Sequence, residues 1–257
     1  MKAALIQMKV TDDKEKNLSR AAELVNKARG AELILLPEMF CCPYSTASFV
    51  KNAEPEGERV TEALSRMAKA SGAYLVGGSM PEYDNGKIYN TCFVFDPEGR
   101  LIAKHRKAHL FDIDVKGGQR FFESETLTKG DSVTTFETPF GRVGVCICFD
   151  IRFPDFIMKM RGVNVLAVPA AFNMTTGPLH WELLFRARAV DGQFFTLGCA
   201  PARDEKGPYV SYGNSIAVSP WGRVLALAGE GETILLSDLD LDEIRAARSQ
   251  IPVGNPI

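Results

Sequence analysis

Short apolar runs closed by turn residues alternate with amphipathic stretches along this chain, and that order limits the fold more than any single motif. "KAALIQMKV" (2–10) alternates and reads as a strand. "DDKEKNLSRAAELVNKARG" (12–30) sets Leu18, Ala21, Ala22, Leu24, Val25 and Ala28 at helical spacing and stops on Gly30. "AELILLPE" (31–38) is an apolar run closed by proline, as a buried strand would be. "GERVTEALSRMAKASG" (57–72) predicts a second helix ending on Gly72, and "AYLVGGSM" (73–80) the next buried strand.

The texture then turns to hairpins. "KIYNTCFVFDPEGRLIAKHRKAHL" (87–110) is two strands around "DPEGR", and "VTTFETPFGRVGVCICF" (133–149) repeats the device around "TPFGR". A buried strand "NVLAVPAAF" (164–172), a helix "LHWELLFRARAVDG" (179–192), the strands "FFTLGCAPA" (194–202), "NSIAVSPWGRVLALAG" (214–229) and "ETILLSDLD" (232–240), and a last helix over 241–249 complete the chain. No proline-, glycine- or serine-rich linker divides it. The expectation is one α/β domain over 1–257, with mixed sheets packed face to face and helices outside.

The 257 residues can bury a sizeable core unaided. The net charge of −2 predicts neither nucleic acid nor an anionic membrane as partner. No apolar run approaches the roughly 20 residues that span a bilayer. "MKAALIQMKV" is too short for a signal peptide, so the chain reads as cytoplasmic, where its six cysteines stay thiols. There is no G-x-S-x-G elbow, phosphate-binding loop or dinucleotide fingerprint. Cys146 and Cys148 form C-x-C with no second pair to complete a zinc site, and two residues apart on a strand they would face the same way. His105 and His109 stand four apart in a strand context, and no metal is expected there. "KHRK" (104–107) taken alone reads as a solvated basic loop.

Three side chains stand where apolar strands give way to polar turns: Glu38 after "LILLP", Lys107 after the first hairpin, and Cys148 at the end of "VGVCIC". Strand ends are where α/β folds build sites. A carboxylate can take a thiol's proton, and an ammonium can stabilise a thiolate or an oxyanion, so the three together could attack an amide or nitrile carbon. Taken singly, each has an ordinary reading: a buried core thiol, a surface cap, a solvated lysine.

The sequence resembles the nitrilase superfamily of carbon–nitrogen hydrolases, most closely its ω-amidase branch. The resemblance rests on "LILLPEMF", "KHRKAHLFDID", "FFESETLTKGD", "GVCICFDIRFPD", "AAFNMTTGPLHWELLFRARAVD", "CAPARD", "YGNSIAVSPWGRVLALAG" and "SDLDLDEI", in order over nearly the whole chain. It implies a four-layer α-β-β-α sandwich with Glu38 as general base, Lys107 as oxyanion stabiliser and Cys148 as nucleophile. By the same resemblance Glu123 is a second carboxylate orienting Lys107 or water, and the Phe149 N–H is the second oxyanion donor. Cys146 is then a buried neighbour of Cys148 on the same face. Departures stand at "CCPYST" (41–46), with Cys41 and Cys42 in the loop after the base, and at the ending "IPVGNPI", where relatives continue in a longer tail.

The activity implied is hydrolysis of the terminal amide of a small dicarboxylic acid monoamide, of the α-ketoglutaramate or α-ketosuccinamate type, without a cofactor. Another amidase or an N-carbamoyl hydrolase is the nearest alternative, and a catalytically idle scaffold a further one. Arg152, four residues after the thiol, is placed to grip the substrate carboxylate, or else to pair with Asp150 and brace the turn. Tyr44 and Thr175 could add hydroxyl donors. Relatives assemble through helices flanking the nucleophile loop, which implies a homodimer or larger.

Overall fold

The computed structural model describes residues 1–207 and 209–253. The first half runs β1 (Lys2–Gln7), α1 (Lys14–Lys27), β2 (Leu33–Leu35), α2 (Thr46–Asn52), α3 (Arg59–Ser71), β3 (Tyr74–Val76), β4 (Met80–Asp84), β5 (Lys87–Phe95) and β6 (Leu101–Arg106). A small hairpin, β7 (Asp112–Asp114) and β8 (Arg120–Phe122), leads to the second half. That half runs β9 (Thr134–Thr138), β10 (Gly141–Val145), α4 (Pro154–Met158), β11 (Val165–Pro169), α5 (Gly177–Gly192), β12 (Phe195–Cys199), β13 (Ile216–Val218), β14 (Val224–Leu227), β15 (Thr233–Asp238) and α6 (Asp242–Gln250).

Each half forms most of one mixed sheet, with β15 of the second half joining the first sheet beside β1. The first is ordered β15-β1-β2-β3-β5-β4, with β6 added on β5; the second is β14-β13-β12-β11-β10-β9. Both have three parallel strands at the centre, β1-β2-β3 and β10-β11-β12, with antiparallel hairpins outside. Alternation sorts the faces. Leu5 and Leu35 join Val145, Ala167 and Leu197 in a core between the sheets, whereas Ala4, Ile6 and Ile34 pack with Leu24, Val25, Leu64 and Met67 of α1 and α3. Trp181 and Phe185 of α5 cover the far side of the second sheet. Gly198 permits that approach, since a Cβ there would lie 2.4 Å from the Phe185 ring. The layers are therefore helices, sheet, sheet, helices.

Caps fall where the residues demand them. Asp13 accepts from the Lys16 N–H at 3.1 Å to start α1, and Gly72, at φ +67°, ends α3. Four elements escape the sequence pattern: α2, β4, the β7–β8 hairpin and α4. All are short, and "DIDVKGGQRFF" carries charge where a core strand would not. No helix among the described residues is long and apolar enough to cross a membrane. The last four residues of "IPVGNPI" lie outside the described residues.

Candidate active site

The second sheet's central strand β10 stops at Val145, sooner than its apolar run suggests. Cys148 then opens a 3₁₀ turn, Cys148–Arg152, with φ +46°. Left-handed backbone at a residue with a Cβ costs of order 1–3 kcal/mol and persists only where surroundings enforce it. Cys146 extends the pairing of β10 with β11 through its N–H, and both cysteines belong to the core between the sheets.

Glu38 lies three residues past β2, and Lys107 one residue past β6. Lys107 is pinned by its main chain: its N–H donates to the Asn90 carbonyl and its carbonyl accepts from Gly130, both at 2.8 Å. Its side chain is wholly buried. Nζ donates to Glu38 Oε1 at 2.8 Å, pairs with Glu123 Oε2 at 2.9 Å and lies 3.3 Å from the Tyr44 hydroxyl. Glu38 Oε2 accepts from the Ala171 N–H at 2.8 Å, and its charge acts on the nearby Cys148 thiol. Glu123 accepts from the Phe111 N–H and the Tyr44 hydroxyl, each at 2.7 Å. Asn90, which the sequence reading did not single out, bridges the carboxylates, donating to Glu38 at 2.9 Å and Glu123 at 3.3 Å. A neutral residue within a strand carries no pattern that would mark it.

The electrostatics follow from burial around one cation. Burial pushes the Glu38 carboxyl up; Lys107 opposes this and the Glu123 charge reinforces it. Burial works against the Lys107 charge, but Glu123, Glu38 and Cys148 outweigh it, and the ammonium is held above its ordinary range. The Cys148 thiol is pushed well up by burial, then by the Glu38 charge. The resting thiol therefore keeps its proton, near a carboxyl of raised proton affinity. Phe149 is second in its 3₁₀ turn, where an N–H has no partner within the turn, and none is recorded among the described residues.

Asp150 is the third buried carboxylate of this region, and it serves the backbone. It accepts from the Ile147 N–H at 3.0 Å, the His109 N–H and Nδ1 at 2.8 Å, and His105 Nε2 at 3.1 Å. His105 and His109 thus converge on this carboxylate, one from β6 and one from the turn after it. Arg152 does not pair with Asp150, whose oxygens are occupied. "KHRK" is no solvated loop either: Lys104 and Arg106 both pair with buried Glu82, and His105 and Lys107 are fully buried.

A carbon-nitrogen hydrolase family model matches residues 2–249. The chain is 53% identical to omega-amidase NIT2 of Mus musculus and 50% identical to that of Homo sapiens, each over 97% of this chain and 92% of the relative. Among solved structures, Saccharomyces cerevisiae Nit3, a member of branch 10 of the nitrilase superfamily, superimposes with a TM-score of 0.91 at 42% identity, covering 99% of this chain and 95% of that one. This chain belongs to the carbon–nitrogen hydrolase family.

In this family member a cavity of about 300 Å³ opens onto Glu38 and Tyr44, with Cys42, Ala171, Asp204 and Tyr209 on its walls. Cys148, 3% exposed, is not itself on the lining, whereas Glu38 and Ala171 are. Tyr209, also absent from the sequence reading, stacks on Tyr44 at 4.5 Å and donates to the Ala171 carbonyl. Tyr44 sits inside the cluster, its hydroxyl proton committed to Glu123. Thr175 is not brought to this cavity; its methyl faces Gly118. Arg152, which does not line this cavity either, leaves the Cys148 turn between the rings of Phe149 and Phe172, at 5.6 and 4.9 Å from their centres. A wider groove of about 630 Å³ between α1 and α3 holds no thiol.

Proposed function

We propose that this chain hydrolyses the terminal amide of a small dicarboxylic acid monoamide, of the α-ketoglutaramate or α-ketosuccinamate type, to the carboxylate and ammonia through a cysteine thioester. The observation that carries the chemistry is the wholly buried Lys107–Glu38 pair, at 2.8 Å, set beside a buried Cys148 whose thiol feels both charges. Identity of 50–53% to omega-amidases over nearly the full length of both chains supports the substrate class over a carbamoyl hydrolase or an idle scaffold.

In this reading Glu38 takes the thiol proton as Sγ adds to the amide carbon. The oxyanion is met by Lys107 Nζ, whose hydrogen to Tyr44 is its weakest held, and by the Phe149 N–H. Glu38 returns the proton to the departing nitrogen, and ammonia leaves. It then takes a proton from the water that attacks the thioester, and the acid departs as the thiol is restored. Glu123 fixes Lys107, Arg152 holds the substrate's far carboxylate, and no metal or organic cofactor takes part. A panel of ω-amides, carbamoyl compounds and nitriles tests the substrate class, with ω-amides expected to turn over fastest. Cys148→Ala should abolish turnover, and mass spectrometry should find the acyl adduct on Cys148. Wild-type turnover in that variant would sink the mechanism.

Residues 1–257 act here as one domain. We further propose a homodimer or larger, working in the reducing cytoplasm that suits free thiols. Leu179, Leu183 and Val190 make one outward stripe of α5, 72%, 63% and 50% exposed, with Trp221 nearby. A solution mass equal to a single chain would refute the assembly.

A further inference from the structure

Arg152 is a cation held in an unusual way. Among the described residues it makes no ion pair, and its one polar contact is Nη1 to His180 Nδ1 at 3.1 Å. Its Nε–H is buried without a partner, and Nη2 has no recorded hydrogen bond. Phenylalanine rings flank the guanidinium. One edge of the fork is thus anchored, and the edge carrying Nε and Nη2 is left with its hydrogens unsatisfied. Two parallel N–H groups on one guanidinium edge match the two oxygens of a carboxylate.

The anchor's chemistry matters. A guanidinium has no lone pair to offer, so His180 Nδ1 must be the accepting nitrogen, and the ring proton sits on Nε2. The imidazole is therefore neutral in this contact. An aspartate in its place would also hold Nη1, but its charge would cancel the attraction that an anionic substrate needs. An apolar residue would leave the charge intact and the fork unaimed.

We propose that His180 is a specificity-determining positioning residue: it fixes Arg152 through a neutral acceptor, so that the Nε–Nη2 edge is presented, fully charged, to the carboxylate of an ω-amide. This rests on the reading that Arg152 receives that carboxylate. Its site on α5 suits the task, since His180 is held by its own N–H to the Thr176 carbonyl at 2.9 Å.

The test is the ratio of kcat/KM for the monoamide of a four-carbon dicarboxylic acid to that for the corresponding neutral diamide. His180→Leu and His180→Asp should each lower the ratio roughly tenfold or more, through KM, while His180→Asn, whose amide oxygen replaces the Nδ1 acceptor, should keep most of it. Arg152→Met is measured beside them. If it collapses the ratio while His180→Leu leaves it at the wild-type value, or Asp performs as well as Asn, the role of His180 is overturned and that of Arg152 stands. If Arg152→Met leaves the ratio unchanged, the carboxylate reading fails and this proposal falls with it. Should His180→Leu not fold, the near-isosteric Asn and Asp pair decides.

Discussion

Two buried charge clusters flank the Cys148 turn, and they are tuned in opposite directions. In one, Glu38 and Glu123 share a single lysine, and Glu38 is pushed above the ordinary carboxyl range, burial being the largest cause. In the other, burial would raise Asp150 too, but hydrogen bonds from His105, His109 and the Ile147 N–H overcome it and hold the group at about 2. Both carboxyls are buried, and each is met by four hydrogen-bond donors. The difference is the neighbouring charge: Glu123 beside Glu38 adds to the push of burial, whereas the donors on Asp150 outweigh it. A carboxyl pushed up in this way is ready to take a proton. One held down cannot, and it fastens the chain segments that supply its donors.

The sharpest way to break the comparison is to remove the shared cation. Lys107→Met leaves two buried carboxylates facing each other, which should cost about 3–5 kcal/mol of stability. Loss of the oxyanion donor should lower kcat by about 10²–10³. Denaturant melts and steady-state kinetics measure the two effects. A variant as stable as the parent would show that the carboxyls are already neutral without lysine. Glu38→Gln separates activity from stability. It should lose roughly 10²–10⁴ in kcat, the range for a general base. A carboxyl whose folded pKa is raised contributes stability below its unfolded value, near 4.5, that is lost as pH rises through the folded value. The glutamine variant is free of that loss, so its melting temperature should gain on the wild type as pH rises above about 4.5. A gap that moves the other way would remove Glu38 from its assigned state.

The two clusters were unequally legible. Glu38, Lys107 and Cys148 stand at strand ends, a position that sequence marks with an apolar run and a break, and family resemblance gave that position a chemistry. The Asp150 cluster was missed because its members come from separate segments: His105 from β6, His109 from the turn after it, and Ile147 and Asp150 from the chain around Cys148. Asn90, Tyr209 and His180 are set by contacts between segments distant in sequence, which no local pattern encodes. Sheet order was readable only as far as the βα alternation reached. The β7–β8 hairpin that carries the chain toward Glu123 is too short and too charged to announce itself.

Asp150→Asn tests the fastening role, with a smaller effect. A carboxyl depressed from 3.8 to about 2 contributes about 2 kcal/mol at neutral pH, present above its unfolded pKa and lost as pH falls toward the folded value. The variant should be less stable by about that amount at pH 7, with the gap closing between about pH 4 and pH 2. Unfolding curves across that window check it. A constant gap would mean that the loss is packing and that the Asp150 charge contributes nothing.

The smallest effect belongs to Cys146, and it asks whether the tuning of Cys148 is local. Cys146 is as buried as Cys148, and its thiol is also pushed well up, by burial first and then by the charges of Asp150 and Cys148. It differs in partners. The carboxyl that acts on it, Asp150, is held down, and the Cys146 N–H donates to the Ala167 carbonyl at 3.2 Å, continuing the pairing of β10 with β11. A buried thiol with no base behaves as a small apolar group. Cys146→Ala should therefore cost about 1 kcal/mol for the space left by one sulfur, a fall of roughly 2–4 °C in Tm, with kcat/KM unchanged. Iodoacetamide should inactivate the variant at the wild-type rate, because the alkylated thiol is Cys148, the one beside Glu38 and Lys107. If the variant instead resisted alkylation or lost turnover, reactivity would be a property of the whole C-x-C segment, and the contrast between a carboxyl pushed up and one held down would not account for it.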